Sequence, residues 1–213
     1  METAPLIYIV DDDASLRTAL SRVLHAAGYN VQACASAGEF LIAPKVERPA
    51  CVVLDVRMPG LGGLDLQDAL SRMEDPLPVV FLTGHGDVPM SVRAMRAGAV
   101  DFLLKPVERG ALLNAVRQAI ARDEQVRTGR ERLRDLSSRF SALTPRERDV
   151  FGGVVEGKLN KQIAADLGTS ERTVKAHRAQ VMHKMHVASL ADLVRAAEEL
   201  RVPPASAALL PRA

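Results

Sequence analysis

Long apolar runs are missing from this chain. None approaches the ~20 residues needed to span a bilayer, so no membrane partner is expected. The N-terminus lacks both a basic leader and an extended apolar stretch, which argues against a signal peptide. Cysteine is scarce. Cys34 and Cys51 each sit among apolar neighbours and read as free thiols in a core, not as a disulfide framework. A cytoplasmic location is the expectation. No cysteine pair accompanies His177, His183 and His186, and their spacing does not gather them on one helix face, so a zinc site is excluded.

Net charge is also small, only +2 over 213 residues, but it is unevenly placed. Residues 1–105 carry 9 Lys and Arg against 13 Asp and Glu, a balance of −4; residues 106–213 carry 19 against 13, a balance of +6. An acidic front and a basic back suggest two modules, the second facing a polyanion. With 47% hydrophobic and 25% charged residues, the composition is that of a globular protein.

What is present in the first half is a repeat of short apolar runs and amphipathic stretches. Runs at 6–10, 51–54 and 78–82, with weaker ones at 30–34 and 101–104, are rich in Val, Ile, Leu and Phe. They lack the alternation of a one-faced strand, so they suit strands buried on both faces of a parallel sheet. Helical patterns fall at 14–27, 36–43, 64–73 and 88–97, and Gly28 and Gly98 suit helix stops. The expectation is an α/β domain over 1–121, a doubly wound five-stranded parallel sheet.

Residues 122–140 are dense in charge and read as an exposed helical linker. Residues 141–202 read as an all-α four-helix domain. Thr144, Pro145 and Glu147 form a capping box. Asn160 is expected to cap a short helix that ends at Gly168, and Ser170 a third helix. The last helix covers 189–200, and residues 203–213 read as a disordered tail.

Ligands of an open parallel sheet bind beyond the carboxyl ends of its strands. Asp11, Asp12 and Asp13 follow the first predicted strand. Asp55, Thr83 and Lys105 end three others. Clustered carboxylates are unfavourable without a cation, and a hard divalent ion, Mg²⁺, suits Asp11, Asp12 and Asp55. Lys105 adds a fixed positive charge and Thr83 a hydroxyl. Such a site can hold a phosphoryl group in line with a carboxylate nucleophile. Asp13 reads as a helix cap.

VDDD, LDVRMPG, TGHGD and DFLLKP together resemble the receiver domain of two-component response regulators. LTPRERDVF through TSERTVKAHR resembles the LuxR-type helix-turn-helix output domain. The combination is similar to the FixJ branch of the FixJ/NarL family, with a CheY-like receiver. The resemblance implies that Asp55 accepts phosphate from a sensor histidine kinase. It implies that Asp11, Asp12, Asp55 and the backbone carbonyl of Arg57 hold Mg²⁺, and that Thr83 and Lys105 contact the phosphoryl group. Phe102 matches the switch aromatic. The face built from residues 88–104 would form a homodimer on phosphorylation. One departure stands out: Gly62 and Gly63 lie where relatives carry a larger residue before the second glycine, which widens backbone freedom in that loop. Arg57 and His85 flank the site and are expected to tune phosphate lifetime.

On a wheel of ~100° per residue, Val174, Val181 and Met185 share one side of the 170–185 helix. Arg172, Ala176, Ala179 and His183 lie opposite, with Lys175 flanking. Arg172 and Lys175 can reach base edges or phosphates in a major groove, with Thr173 beside them; Asn160 and Lys161 suit phosphate-backbone contacts. His177 reads as a packing residue. Arg178 suits either an ion pair with Glu147 or a phosphate contact. The expected function is a phosphorylation-activated transcription regulator, not an enzyme, whose partners are the kinase, double-stranded promoter DNA and RNA polymerase. The alternative, an Mg²⁺-dependent phosphohydrolase, would need a general acid two residues after Asp55, where Arg57 stands. Constitutive DNA binding behind an inert front domain is a third reading.

Overall fold

The computed structural model describes residues 4–44, 47–84 and 88–202. His85 and the expected tail at 203–213 lie outside them. The chain divides into two compact units, 1–127 and 128–213.

The first unit alternates strands β1 (Leu6–Val10), β2 (Asn30–Cys34), β3 (Ala50–Asp55), β4 (Val79–Thr83) and β5 (Asp101–Leu104) with helices. These are α1 (Ala14–Ala26), α2 (Ala37–Leu41), α3 (Gly63–Ser71), α4 (Val88–Arg96) and the first part of α5 (Arg109–Ser141), whose residues from Thr128 on belong to the second unit. All strands pair in parallel, in the order β2-β1-β3-β4-β5. The three central strands are buried at every residue, which is why their sequences are unbroken apolar runs. β2 and β5 are edges, partly exposed and weaker in pattern.

Side chains alternate between the faces of the sheet. Val52, Leu54 and Phe81 pack with Leu66 and Leu70 of α3 and Ala94 of α4. Ile7, Val53 and Val80 pack with Leu24 of α1 and with Leu112 and Val116 of α5. Cys34 and Cys51 are buried, free, and belong to these opposite clusters. Gly28 and Gly98 take φ of 90° and 92° just past α1 and α4, the stops expected of them.

The second unit holds α6 (Pro145–Val155), α7 (Asn160–Leu167), α8 (Glu171–Lys184) and α9 (Leu190–Leu200). The capping box at α6 is formed, and Ser170 and Ser189 cap α8 and α9. One expectation changes here. Asn160 is the first helical residue of α7, not its cap. Leu159 holds the cap position, and its amide donates to Gln162 Oε1 at 2.8 Å.

The stretch 122–140 is helical, as expected, but not exposed throughout. Asp123 is buried in the first unit and accepts a hydrogen bond from the Ala50 amide at 3.0 Å. Leu136 is buried in the core of the second. Phe140 packs edge-on against Phe151, and Arg132 makes a two-pronged pair with Glu199 at 2.9 and 2.8 Å. Leu136 and Phe140 therefore belong to a domain core, while Val126 and Leu133 remain exposed.

Candidate functional site

β1 and β3 lie side by side, with Val10 opposite Leu54. The residues that follow, Asp11 and Asp55, therefore leave the sheet at the same edge. Asp11 and Asp55 are buried and Asp12 is exposed. Carboxylate oxygens of Asp11, Asp12 and Asp55 lie within 4.8 Å of one another. β4 ends at the same edge with buried Thr83, whose carbonyl accepts from the Lys105 amide at 2.7 Å. The Lys105 ammonium lies 2.6 Å from Asp11 Oδ2 and 3.2 Å from Asp55 Oδ1. Residues 94 positions apart thus meet at one point.

Several bonds fix the acidic loop. The Asp13 amide donates to Asp11 Oδ1 at 2.8 Å, while the Asp13 side chain caps α1 through the Ser15 and Leu16 amides. Arg17 Nη1 donates to the Asp11 carbonyl at 2.6 Å. Arg17 was not singled out from the sequence. Its only signal is a basic residue on the first turn of a helix that starts beside an acidic run.

Charge balance governs protonation. Burial raises the Asp55 carboxyl above its ordinary range; the Lys105 charge opposes this and the Asp11 charge adds to it. The Arg57 backbone N–H donates to Asp55 and also opposes the rise. Burial alone would lower the Lys105 ammonium, but its bond to Asp11 and the Asp55 charge outweigh that and hold it above its usual value. Three carboxylates with one ammonium leave excess negative charge. An all-oxygen donor set of this kind fits a hard divalent cation such as Mg²⁺.

Gly63 is buried, and its amide donates to the Val56 carbonyl at 3.0 Å. A Cβ there would stand 2.2 Å from the Asp55 carbonyl oxygen. Gly63 lets α3 press against the backbone of β3, whereas a Cβ at Gly62, the position that departs from relatives, would meet nothing closer than Asp65 Oδ2 at 3.5 Å. Phe102 on β5 is half-buried and lies opposite Phe81, with ring centroids 6.0 Å apart.

The second unit carries the other candidate surface. Val174 and Val181 of α8, and Met185 at its C-cap, are fully buried. Arg172, Thr173, Lys175, Ala176, Ala179 and His183 are exposed, and so is Lys161 on α7. His177 is half-buried, in keeping with packing. Thr173 is tied to the helix cap, with its hydroxyl 2.9 Å from that of Ser170. Arg178 donates to Asn160 Oδ1 at 3.2 Å, so these two residues join α8 to α7. The alternative pairing of Arg178 with Glu147 is not formed. Glu147 is buried and takes Lys184 at 2.6 Å instead. That bond, with the Thr144 amide, holds the Glu147 carboxyl below its ordinary value.

No helix among the described residues is long and apolar enough to cross a membrane. Residues 7–117 match the family described as response regulator receiver domain, and residues 141–197 match bacterial regulatory proteins, luxR family. Nodulation protein W of Bradyrhizobium diazoefficiens is 46% identical over 200 residues, covering 94% of this chain and 88% of that protein. Transcriptional regulatory protein FixJ of the same organism is 43% identical over 197 residues, covering 92% and 96%. The solved structure of response regulator StyR matches with a TM-score of 0.85 at 45% identity, covering 92% of this chain and 100% of that one.

Proposed function

The chain belongs to the two-component response regulators that carry a receiver domain and a LuxR-type DNA-binding domain, and on that premise we propose that Asp55 is the phosphoacceptor of a transcriptional switch. A carboxylate oxygen of Asp55 forms the new P–O bond as the P–N bond of a sensor kinase phosphohistidine breaks. The imidazole leaves with the electron pair. Asp11, Asp12, Asp55 and the Arg57 carbonyl would hold Mg²⁺, which supplies neutralising charge for the phosphoryl oxygens. Lys105 adds a second positive charge, and the Thr83 hydroxyl donates to the phosphoryl group. Phe102 follows Thr83 inward, which reshapes the face of α4 and β5 into a homodimer contact.

The output unit then binds double-stranded promoter DNA, with RNA polymerase as the further partner. Arg172 and Lys175 face the groove beside Thr173, and Lys161 meets the phosphate backbone. Arg178, hydrogen-bonded to Asn160, makes a further phosphate contact. The protein is not an enzyme with an external substrate: Arg57 occupies the place a hydrolase would give to its general acid.

The observation that carries this reading is the Lys105 ammonium bridging Asp11 and Asp55. Incubation with acetyl phosphate and Mg²⁺ tests it. Intact-mass measurement should find one acid-labile phosphate, absent in Asp55→Asn. Full labelling of Asp55→Asn, or continuous turnover of the donor, would overturn it.

A further inference from the structure

Arg17 takes no part in the phosphotransfer proposed for Asp55, yet it is tied to the acidic loop. It stands near the start of α1, half-buried, and its Nη1 donates to the Asp11 carbonyl at 2.6 Å. A guanidinium donor makes this a short, charge-assisted hydrogen bond. The guanidinium also lies close to the end of β2. Burial pushes the Cys34 thiol up to about 11, the Glu39 charge adds to the rise, and the Arg17 charge opposes it. Asp11 is held from that side too, because its amide donates to the Cys34 carbonyl at 3.3 Å.

The oxygen that Arg17 grips belongs to the peptide joining Asp11 to Asp12. A peptide unit is planar, so fixing its oxygen fixes the plane from which both residues depart. Asp11 has further ties: Oδ1 accepts from the Asp13 amide at 2.8 Å, and Oδ2 takes Lys105 at 2.6 Å. Asp12 is exposed, and its direction rests chiefly on that backbone plane.

On the reading of Asp11, Asp12 and Asp55 as Mg²⁺ ligands, we infer that Arg17 is the positioning residue of the metal site. By holding the Asp11–Asp12 peptide it sets the two carboxylates to receive one divalent cation. Charge alone acts the other way, since a guanidinium beside the site repels a cation. Removing Arg17 therefore separates the two roles: Mg²⁺ binding weakens if Arg17 positions the ligands and tightens if it acts by charge.

Mg²⁺ titration of the isotope-labelled full chain, followed by NMR at the Asp12 and Asp13 backbone amides, reads the difference. Arg17→Met keeps an apolar stem and removes the donor. It should raise the Kd for Mg²⁺ about tenfold, the scale of losing a group that orients a ligand. Arg17→Lys keeps the charge but not the planar fork, and should fall between Arg17→Met and the wild type. A role in stability alone would lower the melting temperature of Arg17→Met and leave its Kd at the wild-type value; that result would overturn the inference, as would tighter binding. Absence of saturable shifts in the wild type would overturn the metal reading, and the role of Arg17 with it. If Arg17→Met does not fold, the wild-type guanidinium decides. Separate, slowly exchanging Nη protons are expected with and without Mg²⁺, and a single averaged signal would overturn the assignment.

Discussion

A methyl group added at Gly63 would meet the Asp55 carbonyl oxygen at 2.2 Å, a backbone atom with no freedom to move aside. Gly63→Ala should therefore destabilise the receiver by about 2–3 kcal/mol, the scale of overpacking. Urea unfolding would read this, and an unchanged midpoint would mean α3 can shift cheaply. Glu147 makes a pH-dependent contribution at the same scale. Its folded carboxyl is held below the ordinary value by Lys184 and the Thr144 amide. Stability from this group is therefore complete above the unfolded value of about 4.3 and is lost as pH falls through the folded value. Glu147→Gln should lower the melting temperature of the output unit near neutrality and flatten its acid decline. Parallel curves for wild type and variant would show that the pair contributes nothing.

Elements differ in how much of them the sequence announces. β1, β3 and β4 are buried on both faces, so their composition alone marks them. β2 and β5 are edges whose solvent-facing positions dilute the signal. The acidic site was readable because its members sit at strand ends, where topology gathers them. Asp123, Gly63 and Arg17 were not readable in role, because each acts on a backbone group remote in sequence or set by packing. Asn160 looked like a cap because Asn suits that place; the fold gives its side-chain oxygen to Arg178 instead. The same limit applies to α5. Leu136 sits in a charge-rich segment yet is buried in the output core. Leu136→Ala in the full chain should cost the output unit about 2–4 kcal/mol. Amide exchange should accelerate in α6 through α9 and not in the sheet. Uniform acceleration, or none, would mean that α5 is not an integral part of that unit.

For the whole molecule, the net charge of +2 conceals an acidic receiver half and a basic output half. One basic output domain gives a modest, salt-sensitive hold on DNA; two joined in a dimer gain from effective concentration without a new contact. The receiver carries a surface suited to that joining. Val88, Val92 and Met95 recur at intervals of four and three on α4, all exposed, and Leu104 at the end of β5 is 59% exposed. Scattered exposed apolar residues need no explanation, but three aligned on one helix face beside an exposed strand end form a patch. The ring of Phe102 packs in the cluster that includes Ala94 and Met90 of α4, so a change at Thr83 has a physical route to this helix. Burying the patch should therefore depend on phosphorylation. Full-length protein treated with acetyl phosphate and Mg²⁺ should double its mass in sedimentation, and Val92→Asp should remain monomeric while still taking up one phosphate. A dimer that forms equally well with Val92→Asp would assign the contact to another face. A variant that loses phosphate uptake as well would show that α4 shapes the acceptor site itself, and not merely the surface that reports its state.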